Sequence, residues 1–246
     1  MEISEYVDEV RREGGLFLDT VERADLEAAV PACPEWTVRE LAAHQGTVQR
    51  WATAYLAEGR PKFEQPPEPP ELTDTELLPW LRGALAHLLE ALASAPPGLE
   101  CCAFLPAPSP LAFWARRQAQ EVAVHRVDAQ QAGGVPLTPV SPEFAADGVD
   151  ELVTGFYPRS RRPVHAEAPR TMRVHATDTP GATWTVDLQQ PNRTRRTTWA
   201  ASEADCTMEG RAADLNLALW NRLPLDTVRL TGDTTLAERW RRMAVR

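Results

Sequence analysis

The stretch VPACPEWTVRELAAH, residues 30–44, decides how this chain is to be read. Pro31 and Pro34 make a turn, and Thr37 followed three residues later by Glu40 is a capping box. In that motif the threonine oxygen accepts the amide of the third helical residue while the glutamate reaches back to the cap. A helix therefore starts here and runs to about residue 58. His44 falls two turns from the cap, with Leu41, Val48 and Trp51 at helical spacing around it, so it faces inward or toward a cleft.

Three more helices follow from the flanking sequence. Residues 4–24 carry Val7, Val10, Phe17, Leu18 and Val21 in an imperfect apolar stripe. Five prolines between residues 60 and 70 make a loop. Thr73 and Glu76 form a second capping box for a helix to about residue 94, with Pro79 in its first turns moving the expected start a few residues on. Ser109 and Pro110 are a cap and a first-turn proline, opening a helix to residue 131 that stops at Gly133 and Gly134. Four helices of this length suffice for a bundle.

Beyond Val140 the texture changes. Residues 142–157 read as a helix, 171–177, 182–188 and 194–200 as strands, and 205–209 as a short strand. A helix over 212–221, a strand over 228–231 and a closing helix over 234–243 complete the pattern. Charge divides at the same place: 21 acidic and 11 basic residues up to Val140, then 14 and 15. The expectation is an α+β chain of two domains, a helical bundle over 1–140 and a small α/β domain over 141–246.

Composition narrows the function. A net charge of −9 over 246 residues is wrong for a nucleic-acid binder, which needs a basic face. The arginine clusters at 159–162 and 193–196 lie in neutral surroundings without alternating aromatics and read as solvated loops. No apolar run is long enough for a membrane span, and the acidic opening MEISEYVDEV is unlike a targeting peptide, so a cytoplasmic location is expected. Cys33, Cys101, Cys102 and Cys206 contain no C-x-x-C pair, which points to reduced thiols. Phosphate-loop, dinucleotide, nucleophile-elbow and H-E-x-x-H motifs are absent from the sequence.

The chemistry-bearing residues are few. Glu121 and His125 stand four apart on the fourth helix and so project from one face. That spacing suits a shared metal ion and equally a solvated Glu–His pair. His44, alone, reads as a hydrogen-bonded core histidine or as a ligand. Combined, the three would form a two-histidine, one-carboxylate set with an open coordination position, as catalytic metal sites have. Asp128, three residues after His125, suits an acceptor that fixes the imidazole tautomer, or a surface carboxylate paired with an arginine. His87 is a competing ligand from the third helix; His165 and His175 have no carboxylate at useful spacing.

Residues 30–44 resemble the N-terminal signature of the mycothiol-dependent maleylpyruvate isomerase family, which belongs to the DinB-like, or YfiT-like, metal-binding four-helix bundles. EVAVHRVDAQQAGG, residues 121–134, is similar to that family's second metal-ligand helix. GRAADLNLALWNRLPLDTVRLTGD, residues 210–233, resembles its second domain, a small module related to sterol-carrier proteins. The resemblance implies that His44, Glu121 and His125 bind a divalent metal, zinc first, though the donor set also suits nickel, iron or manganese. It matches Arg222 to an arginine implicated in activity, a residue that otherwise reads as a helix-end cation. It further implies a small-molecule substrate and mycothiol as thiol cofactor, held as thiolate by the metal. Thiolate addition to a cis double bond, rotation and elimination would then give the trans isomer. A mycothiol S-transferase for electrophile detoxification, or a non-catalytic ligand-binding or regulatory protein of the same fold, are the alternatives. The chain would act as a monomer or homodimer.

Overall fold

Polar caps start the helices of the N-terminal half. Helix α1 (Ile3–Arg23) opens on a capping box in which the Glu2 amide donates to Glu5 Oε2 at 2.6 Å. Helix α2 (Val38–Glu58) opens on the Thr37–Glu40 box and ends at Gly59, whose φ of 63° is the left-handed conformation that glycine adopts without strain. Helix α3 (Asp74–Ser94) runs through Pro79, because a proline this near the N-terminus removes only one internal hydrogen bond. Helix α4 (Pro110–Ala132) starts where Ser109 Oγ accepts the Ala112 amide at 3.1 Å.

The computed structural model describes residues 1–159, 170–199 and 204–242. The chain divides into two compact units, Met1–Thr138 and Pro139–Arg246. In the first, α1 packs chiefly on α4 and α2 on α3, while α1 against α3 and α2 against α4 close a four-helix bundle. Between α1 and α2, where only a turn was expected, β1 (Ala29–Val30) and β2 (Cys33–Thr37) pair antiparallel. Val30 and Cys33 anchor this hairpin in a core that includes Phe17, Leu41, Leu81 and Val122. Two-residue pairing is too short to show as alternation, so only the turn was visible in the sequence.

A buried ion pair ties α1 to α4. Arg126 donates to Glu13 Oε2 at 2.7 Å and to Gln130 Oε1 at 2.8 Å, both arginine and glutamate being buried. Gln130 also donates to Thr138 Oγ1 at 2.8 Å and accepts the Thr138 amide at 3.0 Å. Burial raises the Glu13 carboxyl despite the opposing pull of Arg126, the signature of a charge pair held inside a core.

The second unit begins with α5 (Pro142–Asp150), which loosens into a π-helical turn over Glu151–Phe156 and a 3₁₀ turn over Tyr157–Arg159 in place of the single helix expected. A five-stranded mixed sheet follows in the order β5-β4-β3-β6-β7. Its strands are β3 (Thr171–Ala176), β4 (Thr183–Asp187), β5 (Arg195–Arg196), β6 (Cys206–Gly210) and β7 (Arg229–Gly232). The strand expected over 194–200 shrinks to two paired residues, and Ala200 lies outside the described residues. Along β3, Met172, Val174 and Ala176 are buried while the alternate residues are half-exposed. Helices α6 (Ala212–Leu219) and α7 (Thr235–Arg241) complete the unit; Met243 in the expected closing helix lies outside the described residues. Trp184 donates to Asp150 Oδ1 at 2.7 Å and Trp240 to the Leu219 carbonyl at 2.9 Å. Among the described residues no helix is long and apolar enough to cross a membrane.

Gly46 shows how closely α2 and α3 approach. A Cβ built there would overlap the six-membered ring of Trp80, whereas one at Gly15 of α1 meets nothing within 4 Å. In a helix interior alanine gains about 1 kcal/mol over glycine by propensity alone. Gly15→Ala should therefore raise stability by up to about 1 kcal/mol. Gly46→Ala should lose about 1–3 kcal/mol through overpacking, and chemical denaturation of the pair checks the sign.

Candidate metal centre

Helices α2 and α4 run antiparallel: His44 meets Glu121 and His125, and two turns later Trp51 meets Trp114, ring centroids 5.0 Å apart. The Thr37 cap and the hairpin before it fix where α2 begins, and so which turn presents His44. On α4 the four-residue spacing puts Glu121 and His125 on the face toward it. His44 Nε2 lies 3.4 Å and His125 Nε2 3.3 Å from the same atom, Glu121 Oε1. One ligand atom from each residue lies within 4.8 Å of the other two. A tetrahedral zinc ion with bonds of about 2.1 Å has edges of roughly 3.4 Å between its ligands, so the two contacts have the length that a shared ion requires.

Neighbouring groups aim the three ligands. Arg117, a turn before Glu121, donates to Glu121 Oε2 at 2.9 Å, leaving Oε1 turned toward the imidazoles. Asp128, wholly buried, has Oδ2 2.9 Å from His125 Nδ1, which directs Nε2 at the carboxylate. Trp36, at the end of β2, covers His44 with ring centroids 4.7 Å apart and approaches His125 at 6.2 Å. His44 and Glu121 remain partly open to solvent, so the cluster is reachable from outside.

The electrostatics follow from burial and partners together. Burial alone would raise the Glu121 carboxyl, but hydrogen bonds from His125 and His44 and the charge of Arg117 outweigh it and hold the group well below the usual range. Burial likewise opposes charge on His125, yet bonds to Asp128 and Glu121 win, and its pKa is pushed up to about 9.

Of the other histidines, His87 is exposed on α3 and not among the trio, and His175 Nδ1 contacts Thr183 Oγ1 at 2.8 Å on the sheet. His165 and residues 160–162 of one arginine cluster lie outside the described residues. Arg195 and Arg196 form the short β5. All four cysteines are thiols rather than disulfides. Arg222 follows the end of α6, where Asn221 takes a φ of 62°; it is buried and donates to the Trp220 carbonyl at 2.7 Å. Arg117 and Trp36 are contributors that the sequence reading did not single out. Only the spacing of Arg117 to Glu121 could have flagged the first, and nothing short of tertiary contact the second.

The family model for the mycothiol maleylpyruvate isomerase N-terminal domain matches residues 7–130, and that for the MDMPI C-terminal domain matches residues 143–239. Among solved structures, this chain is similar to a crystal structure of the mycothiol-dependent maleylpyruvate isomerase, with a TM-score of 0.62 at 13% identity. A histidine-to-alanine mutant of that enzyme gives 0.63, also at 13%. Each alignment covers 94% of this chain and 93% of the other, and at that identity the likeness is one of fold. Curated proteins yield no match.

Two outcomes test the centre. A histidine whose pKa rises to about 9 on folding, from 6.5, adds stability that is complete below about 6.5 and lost as pH rises through about 9. The metal-free protein should therefore lose stability between those limits, and His125→Gln should flatten that part of the denaturation-midpoint profile. At pH 7 zinc must displace the His125 proton, so uptake of one ion should release about one proton in a lightly buffered titration. His44→Ala should abolish stoichiometric uptake.

Proposed function

The chain belongs to the mycothiol maleylpyruvate isomerase family, and from that membership we propose that it is a metal-dependent cis–trans isomerase using mycothiol as its thiol. The observation that carries the reading is the convergence of His44 Nε2 and His125 Nε2 on Glu121 Oε1. Two imidazoles and one carboxylate suit zinc and leave a position for an exogenous ligand. A metal bound there would supply the positive charge that keeps a thiol ionised near neutral pH.

This chain's residues would prepare that state. Glu121 is held anionic, with Arg117 gripping one oxygen so that the other faces the imidazoles. Asp128 holds His125 Nδ1–H, so the lone pair of Nε2 is the one presented. Without a metal, the negative charges of Glu121 and Asp128 are matched by Arg117 and the protonated His125. A dication that displaces one proton leaves the cluster with one net positive charge, which favours an anionic fourth ligand such as a thiolate.

The reaction then needs no protein nucleophile. A thiolate held at His44, Glu121 and His125 would supply reversible addition to the double bond of a cis-unsaturated acid, and its later elimination would return the trans acid with the thiol unchanged. Arg222, matched by the family resemblance to an arginine implicated in activity, is proposed as a residue that activity depends on; its planar guanidinium suits a carboxylate.

With zinc-loaded protein, maleylpyruvate should isomerise only when mycothiol is present, with no net loss of thiol. Removal of zinc or His44→Ala should lower the rate at least a hundredfold. Stoichiometric consumption of thiol would instead identify a transferase, and silence of the loaded protein toward electrophiles a binding protein. Arg222→Met should raise KM for the carboxylate substrate about 10–100-fold with unchanged zinc content, the loss expected for a charge-assisted hydrogen bond of about 1.5–3 kcal/mol.

A further inference from the structure

The buried faces of α2 and α4 are not apolar throughout: besides the candidate metal ligands and their partners they carry glutamines. Toward the hairpin end, Leu41, Ala42 and Val122 pack in the core. Toward the other end, Trp51, Tyr55 and Trp114 form an aromatic layer with centroids 4.8–5.4 Å apart. Between them α2 places Gln45 and Gln49, one turn apart, and α4 places Gln118. Because the helices are antiparallel, with His44 opposite Glu121 and Trp51 opposite Trp114, residues 45–49 run past 116–120, and Gln118 falls level with the turn between Gln45 and Gln49.

All three are 0–1% exposed. Both amide atoms of Gln45, both of Gln118 and Oε1 of Gln49 have no hydrogen-bond partner. Folded cores seldom leave buried polar atoms bare, and those that do are expected to hold ordered water or a ligand group. The same bundle satisfies another buried glutamine, Gln130, through Arg126 and Thr138. Amides offer donors and acceptors side by side and carry no charge. They suit a hydroxyl, which also donates and accepts, better than a carboxylate or an ammonium.

We propose that Gln45, Gln49 and Gln118 form a hydroxyl-binding site beneath the candidate metal centre. The hydroxyl belongs either to trapped water or to the thiol ligand held at His44, Glu121 and His125. Gln118 precedes Glu121 by three residues, about 4.5 Å along the helix axis, so a side arm of such a ligand has a short path to it. The second source rests on the thiol-dependent reading above; the first does not.

Magnetisation transfer from water to the side-chain amides, recorded on the zinc-loaded full chain with labelled glutamine, tests the site. Transfer to Gln45 and Gln118 is expected in the free protein. Addition of 2-mercaptoethanol and, separately, of ethanethiol separates the sources. Loss of transfer with the hydroxylated thiol alone assigns the site to the ligand, and persistence with both assigns it to water. Absence of transfer in the free protein overturns the proposal. The double variant Gln45→Leu/Gln118→Leu gives a second reading. It should lose transfer to Gln49 or equalise the affinities for the two thiols; if neither changes, the proposal fails. Zinc content and thiol-dependent turnover of the parent protein are unaffected by that failure, which keeps it distinct from failure of the isomerase reading.

Discussion

An ionised carboxylate between two imidazoles, part-way into a helical bundle, is the constraint around which the first unit is arranged. Desolvation works against the charge on Glu121, and the bundle answers with three donors from two helices. Each of them opposes protonation of the carboxylate. The same logic explains Asp128, a wholly buried acid whose partner is the imidazole of His125. Charge on one side of the histidine compensates charge on the other, so the cluster can persist before any cation arrives. Such preorganisation costs stability in the abstract, since buried charges rarely repay their desolvation. Its retention is easier to understand where the charges have a ligand to receive.

Position along the chain is set by more local chemistry. The Thr37–Glu40 box fixes the first turn of α2, and the hairpin strand leading into it is pinned by Val30 and Cys33 in the core. His44 is two turns further on, too near the cap for its angular position to drift. The hairpin also delivers Trp36 against the His44 ring. One short element therefore sets the helix start, anchors it and walls the ligand. Buried Glu13 and Arg126 play a matching part for α4, holding it against α1 on the side away from His44.

Much of this is legible in the sequence because it is local. Capping boxes, a first-turn proline and a Glu–His pair four apart are short-range patterns with one geometric meaning each, and the helix starts follow from them. Pro79 misled because a proline's cost depends on how many turns precede it, which a residue count alone judges poorly. The hairpin and β5 are pairings of two residues, below the length at which alternation can be recognised. Arg117 was hidden for a different reason: an Arg–Glu pair at this spacing is ordinary on a helix surface, and only the fold shows that this one is buried. Trp36 and the glutamine layer depend on which helix faces which, information held in the tertiary packing alone.

Two groups of buried polar side chains in the bundle make an instructive contrast. Glu13, Arg126, Gln130 and Thr138 close a network among themselves, with donors matched to acceptors, and such a network specifies how α1 meets α4. Gln45, Gln49 and Gln118 leave amide atoms unmatched, although leucine at any of the three would continue the stripes on either side. Selection for stability alone has no reason to keep amides there. Polar atoms that specify nothing about helix pairing, one turn from a cluster poised for a cation, are more economically explained as facing something that enters the bundle than as a flaw in its core.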